Sequence, residues 1–193
     1  VVFAIDISSS MAGAKIANAK QALIQNSRDL LAVGSEDCKV GIVSFASRAK
    51  IVCRPTSDLT TLERAVATMT PSGTTAMDEG IRQAAELVMT APTGTDRDVV
   101  MLTDGMPDPQ RRQSTLAATQ TAQSKGITLS TVGIGSEDVD LDFLNKLTPI
   151  SLVIDRVEET SVTMATLLKL SAAARRGGLT DIQKGGLHDA EDL

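Results

Sequence analysis

The sequence predicts an α/β protein: a Rossmann-like three-layer sandwich, with helices on both faces of a mostly parallel six-stranded sheet that has one antiparallel edge strand. Three observations predict it. Strand-like and helix-like segments alternate along the chain. The strand-like segments are continuous apolar runs, the pattern of strands buried on both faces. The link between the second and third runs is a short Ser/Arg connection, too short for a parallel crossover, so that pair is antiparallel.

Residues 1–7 read as the first buried strand, Val1-Val2-Phe3-Ala4-Ile5-Asp6-Ile7. Residues 15–32 place Ile16, Ala19, Leu23, Ser27 and Leu30 at helical spacing. Val40 to Phe45 is the second strand and Ala49 to Arg54 the third. A short helix is expected over Thr60 to Met69. A longer one covers Asp78 to Met89, with Ile81, Ala84, Ala85 and Val88 on one face. Residues 98–103 form the fourth strand. Residues 110–125 are a weakly amphipathic helix rich in Ala, Gln and Thr. Ile127 to Ile134 is the fifth strand, Leu141 to Leu147 a short helix, Leu152-Val153-Ile154 the sixth strand and 160–174 a final helix. Residues 1–174 make one domain. Residues 175–193 are Gly-rich and end in acids, the composition of a flexible tail or linker.

Chemistry concentrates at strand ends. The first strand closes on Asp6, and hydroxyls follow at Ser8 and Ser10. An Asp-x-Ser-x-Ser loop turns three oxygens toward one point, the ligand type hard cations take. The fourth strand closes on Thr103-Asp104-Gly105, and Pro71-Ser72-Gly73-Thr74-Thr75-Ala76 is a turn leading into a helix. In a doubly wound sheet of order 3-2-1-4-5-6 the first and fourth strands are neighbours at the switch point, where ligands bind. Asp6 and Asp104 then lie side by side, and two such carboxylates repel unless a cation lies between them. Helix capping explains one of Asp6, Ser8 and Ser10, not three at alternating positions. An Asp-Gly turn is the alternative for Asp104.

The three elements together resemble the metal-ion-dependent adhesion site of von Willebrand factor A domains, over roughly residues 1–170. The resemblance implies that Asp6, Ser8, Ser10, Thr75 and Asp104 are the metal residues. Thr74 is an adjacent alternative to Thr75. It implies Mg²⁺, with Mn²⁺ or Ca²⁺ as substitutes. It also implies an open coordination position filled by a Glu or Asp carboxylate of a partner protein. Ser8, Ser10 and, in the ligand-ready state, Thr75 would coordinate directly, and the two aspartates mostly through water. The chain departs from the family at Ser9, where Gly is usual and gives the loop backbone freedom. An interaction module whose metal is structural or degenerate is the alternative. Met11, Met77 and Met106 each lie one or two residues beyond a site element. They are either a soft apolar rim for the partner, with Met106 its main member, or ordinary packing at helix starts.

Composition narrows the classes. At 193 residues, with 42% apolar and 22% charged content, the chain can build a proper core. Three Phe, no Tyr, no Trp and a net charge of −5 leave few groups for stacking on bases or for phosphate neutralisation, so nucleic acid is not expected as a partner. No run reaches the roughly 18 apolar residues of a membrane span. No enzyme is expected. The chain has no Gly-x-Ser-x-Gly elbow and no P-loop, and Gly133-x-Gly135 lacks the third Gly of a dinucleotide fingerprint. The single histidine, His188, lies in the tail. The remote enzymatic alternative is a Mg²⁺-dependent phosphatase with Asp6 as nucleophile. Its second acid is missing, because Ser8 stands there, and no lysine is evident near a strand end. Cys38 and Cys53 flank a hairpin on adjacent strands and read as small buried thiols. The chain begins inside a strand and so reads as trimmed. Its thiols and aromatic-poor core point to a bacterial, cytoplasmic protein, and family analogy adds chaperone-like or ATPase-associated assemblies as its setting.

Overall fold

The computed structural model describes residues 1–33, 38–105, 107–134 and 139–154. The elements in chain order are β1 (Val2–Asp6), α1 (Ala14–Val33), β2 (Val40–Phe45), β3 (Ala49–Thr56), α2 (Leu59–Ala67), α3 (Met77–Val88), β4 (Asp98–Thr103), α4 (Arg112–Ser124), β5 (Thr128–Ile134), α5 (Leu141–Leu147) and β6 (Ser151–Ile154). The sheet order is β3-β2-β1-β4-β5-β6. The β2–β3 pair is antiparallel and every other pair is parallel. This is the expected doubly wound sheet, with β1 and β4 adjacent at its centre. The expected helix at 160–174, the tail 175–193 with His188, and Met106 lie outside the described residues.

Side chains of β1 alternate between two cores. Phe3 and Ile5 join Ile16, Leu23, Leu62 and Val66 beneath α1 and α2. Val2 and Ala4 join Ile81, Leu87, Phe143 and Leu147 beneath α3 and α5. Both faces of the central strands are therefore dry, which is why these strands read as unbroken apolar runs. The buried face of α1 includes Asn26 and Ser27. Their side chains donate to the carbonyls of Ala22 and Leu23, each at 2.8 Å, so neither is left unsatisfied.

Local chemistry sets several boundaries. Asp58 caps α2, accepting from the Thr60 amide at 3.0 Å, and moves its start to Leu59. The segment expected as one helix from residue 110 opens instead with a 3-10 turn, Pro109–Arg111, and α4 follows. Asp108 caps that turn through the Gln110 amide at 3.1 Å, and Pro109 occupies a position whose amide has no helical partner.

β3 outruns its expected end at Arg54 and reaches Thr56. Val40 pairs with Thr56 but Ile42 with Cys53, so Arg54 and Pro55 together face Gly41 across a bulge. A Cβ on Gly41 would stand 3.3 Å from the Pro55 ring.

The same register corrects the reading of the cysteines. Cys53 lies within β3, but Cys38 precedes β2 rather than facing Cys53 across the pair, and both thiols are free. Cys53 is buried and Cys38 half-buried. Among the described residues, no helix is long and apolar enough to cross a membrane.

Candidate metal centre

The carboxyl ends of β1 and β4 build the site. Asp6, the last residue of β1, is fully buried. Its Oδ1 accepts from the Ser8 amide at 2.8 Å, and its Oδ2 accepts from the Thr103 hydroxyl at 2.7 Å. The chain then forms a 3-10 turn, Ser9–Met11, that brings the Ser8 and Ser10 hydroxyls to 3.0 Å. Ser10 donates to Asp104 Oδ1 at 2.9 Å. One run of polar groups thus links Thr103, Asp6, Ser8, Ser10 and Asp104 across two strands. Ser9 sits in the turn with no left-handed backbone, since every described residue with positive φ is a glycine. The loop therefore closes without the Gly the family usually has there. The reversal into α1 falls on Gly13, at φ +81°.

Backbone hydrogen bonds fasten this loop to the turn before α3. The Ser72 amide donates to the Ile7 carbonyl at 2.7 Å, and the Ser9 amide to the Gly73 carbonyl at 3.1 Å. The Ala76 amide donates to the Ala46 carbonyl at 2.6 Å. Gly73 has φ +79°, and a Cβ there would stand 2.5 Å from Ser47 Oγ, so only glycine fits. Ser47 in turn holds Thr74, accepting from its amide at 3.0 Å with the two hydroxyls 3.3 Å apart. The adjacent Thr75 lines an open cleft of about 470 Å³ together with Ser10, Thr74, Asp104, Gly105 and Arg112. Thr75 Oγ1 faces Gly105, 4.0 Å from where a Cβ on that glycine would stand. Four of the five expected residues share one hydrogen-bonded run, and the fifth stands on the wall of the same cleft.

Charge is unevenly balanced here. Burial pushes the Asp6 carboxyl up to about 6; the Thr103 and Ser8 hydrogen bonds pull it down, and the Asp104 charge raises it further. Asp104 is buried as well, and Lys15 Nζ reaches its Oδ2 at 2.5 Å. The donors are hydroxyls and carboxylates alone. Among the described residues there is no group of three or more His, Cys, Asp or Glu side chains able to hold a metal. Such a set suits a hard divalent cation and not a soft one.

Two participants escaped the sequence reading. Thr103 was legible in principle, because parallel pairing of Ile5 with Leu102 sets Asp6 opposite it. Lys15 carried no local signal, lying 89 residues from its partner. It also corrects the expectation that no lysine stands near a strand end. The missing acid of the phosphatase alternative is still missing, with Ser8 in its place. Of the expected methionine rim, Met106, its main member, lies outside the described residues, and the other two take the packing alternative. Met11 is fully buried in the core under α1, and Met77 in the core under α3. Both pack inward at helix starts.

A second polar cluster braces the cleft from the side. Asp78, buried in the first turn of α3, accepts from Arg111 at 2.9 Å, Ser114 at 2.9 Å and Arg82 at 3.2 Å. Burial raises its carboxyl, but these hydrogen bonds and guanidinium charges outweigh that and hold it below the usual range. Arg112 pairs with Asp140 at 2.5 Å and lies 4.9 Å over the Phe143 ring, tying α4 to α5.

The chain belongs to the von Willebrand factor type A domain family, whose model matches residues 1–169. It is similar to a UPF0353 protein of Mycolicibacterium paratuberculosis, at 25% identity over 166 residues, 78% of this chain and 48% of that protein. It spans less than half the length of the curated relatives it matches. Its fold is that of BatB from Bacteroides thetaiotaomicron, with TM-score 0.73 and 21% identity, over 90% of this chain and 98% of that one. Proximal thread matrix protein 1 of the mussel byssus, in a structure with a zinc-occupied MIDAS motif, shares the fold with TM-score 0.70 and 20% identity. That match covers 88% of this chain and 44% of the mussel chain.

Proposed function

We propose that this domain is a divalent-metal-dependent protein-binding module. Ser8, Ser10, Thr75, Asp6 and Asp104 hold the ion, and the cleft above them admits a Glu or Asp side chain of a partner. The observation that carries this is the pair of buried carboxylates, Asp6 and Asp104, at adjacent strand ends on one hydrogen-bonded run beneath an open cleft. The zinc-occupied site of the mussel protein supports it by family. The all-oxygen donor set favours Mg²⁺, with Mn²⁺ and Ca²⁺ able to substitute. The bound ion supplies one electrophilic position for a carboxylate oxygen. The chain's own groups do the rest: Thr103 and the Ser8 amide fix Asp6, Ser10 and Lys15 fix Asp104, and Gly105 leaves the cleft floor open. The module is non-catalytic in this reading, because Ser8 offers no acid to a nucleophilic Asp6. We assign residues 1–174 to the domain and 175–193 to a tail.

A second reading has an observation of its own. The Lys15–Asp104 pair already neutralises one carboxylate, as in a module whose metal site is degenerate and whose partners bind by surface contacts. Isothermal titration of Mg²⁺ and Mn²⁺ into chelated protein, beside Asp104→Ala, separates the two. One-site binding that is lost in the variant supports the first reading. No binding by the wild type overturns it and leaves the second.

A further inference from the structure

Lys15 is misplaced by ordinary helix electrostatics. It stands in the first turn of α1, where the helix dipole favours acids and where this helix has none. Its side chain is 31% exposed, yet its ammonium turns to the buried Asp104. It takes Oδ2, while Ser10 takes Oδ1. The carboxylate is thereby divided between a fixed cation and the hydroxyl run.

We infer that Lys15 is the positioning residue that sets the charge of this site for an anionic partner group, an inference that rests on the metal reading above. The two carboxylates and Lys15 together carry one net negative charge. A divalent ion makes the site net positive by one, and an incoming carboxylate brings it to neutrality. Without Lys15 the loaded site is already neutral, and the same carboxylate would leave a net negative charge beside two buried acids. That arrangement is costly where desolvation is strong. Lys15 therefore opposes the metal and favours the partner carboxylate. A residue that only holds the fold together would not move these two affinities in opposite directions.

The test is titration of Mn²⁺ into the chelated protein, with sodium acetate as the probe carboxylate and sodium chloride as the matched control. Lys15→Met is compared with Lys15→Arg, which keeps the charge, and with wild type. Circular dichroism in chelator establishes that each is folded. Lys15→Gln, which keeps a donor without the charge, replaces Lys15→Met if that variant does not fold. The expected result is that the neutral variant binds Mn²⁺ on the order of tenfold more tightly. Acetate should raise the apparent Mn²⁺ affinity of wild type and Lys15→Arg but not of the neutral variant. If wild type binds Mn²⁺ and the neutral variant binds no tighter, or keeps the acetate effect, this inference alone is overturned. A wild type that takes up no Mn²⁺ overturns the metal reading and the inference with it.

Discussion

Thr103 donates a 2.7 Å hydrogen bond to Asp6 across the two central strands, and both side chains are fully buried. The hydroxyl also accepts from the Gly105 amide at 3.2 Å, so one side chain fixes both the first acid and the turn after the second. Thr103→Val keeps the shape and removes the donor. The loss expected is about 1.5–3 kcal/mol, the range for a hydrogen bond to a charged group. Mn²⁺ affinity should fall with it. Thermal unfolding in chelator and Mn²⁺ titration read the two effects separately.

Asp6 makes the metal-free protein more stable in mild acid. Its folded pKa of about 6 lies above the ordinary 3.8, so between those values the native state binds the extra proton. Its contribution is therefore fully present below pH 3.8 and is lost as pH rises through about 6. At about 1.4 kcal/mol per unit, the span is on the order of 3 kcal/mol. Denaturant unfolding in chelator at pH 5 and pH 7 should show wild type losing stability on the rise. In Asp6→Asn this component should be flat, and an equal slope in both proteins would refute the assignment.

Gly80 should resist the usual helix-stabilising replacement. Gly→Ala inside a helix gains up to about 1 kcal/mol from propensity. A Cβ at Gly80, however, would stand 2.6 Å from Phe45 Cδ1 and 2.7 Å from Cγ, against a fully buried ring on β2. Overpacking of this kind costs about 1–3 kcal/mol, so Gly80→Ala should be net destabilising in chemical denaturation.

Asp78→Asn should loosen the junction of α3 with α4 by about 1–3 kcal/mol at neutral pH, because Arg111, Arg82 and Ser114 lose a shared charged acceptor. Its folded pKa is depressed, so its contribution is present above the ordinary 3.8 and is lost as pH falls through the lower folded value. The penalty of the variant should shrink accordingly in strong acid.

Thiol labelling should discriminate between the cysteines. Cys53 is buried, and burial, with help from the Asp58 charge, pushes its thiol up. Cys38 is half-buried and lies outside the strands. A small aromatic disulfide reagent should modify Cys38 well before Cys53, and Cys38→Ser should remove the fast phase. Equal rates would contradict the difference in burial between the two thiols.

The sheet was legible because its central strands are dry on both faces and thus continuous in apolar residues. Asp6 and Asp104 were legible because each breaks such a run at its end. What stayed hidden depended on side-chain direction. Met11 and Met77 could line a rim or a core according to helix phase, and a single residue of phase separates the two. Lys15 needed the reach of its side chain from α1 to Asp104, just past the end of β4, which no local pattern carries. Cys38 lies just outside the pair because β2 begins only at Val40, and a boundary of one or two residues is not marked in the sequence.

The bulge in β3 has a consequence for how molecules of this kind meet. β3 is an outermost strand, with Lys50 and Arg54 exposed along it and Pro55 unable to donate an amide. Charge, a kink and a missing donor make this edge a poor template for strand addition. Amyloid-like stacking and domain swapping through β3 are disfavoured, so crowded copies of the domain stay separate along that margin.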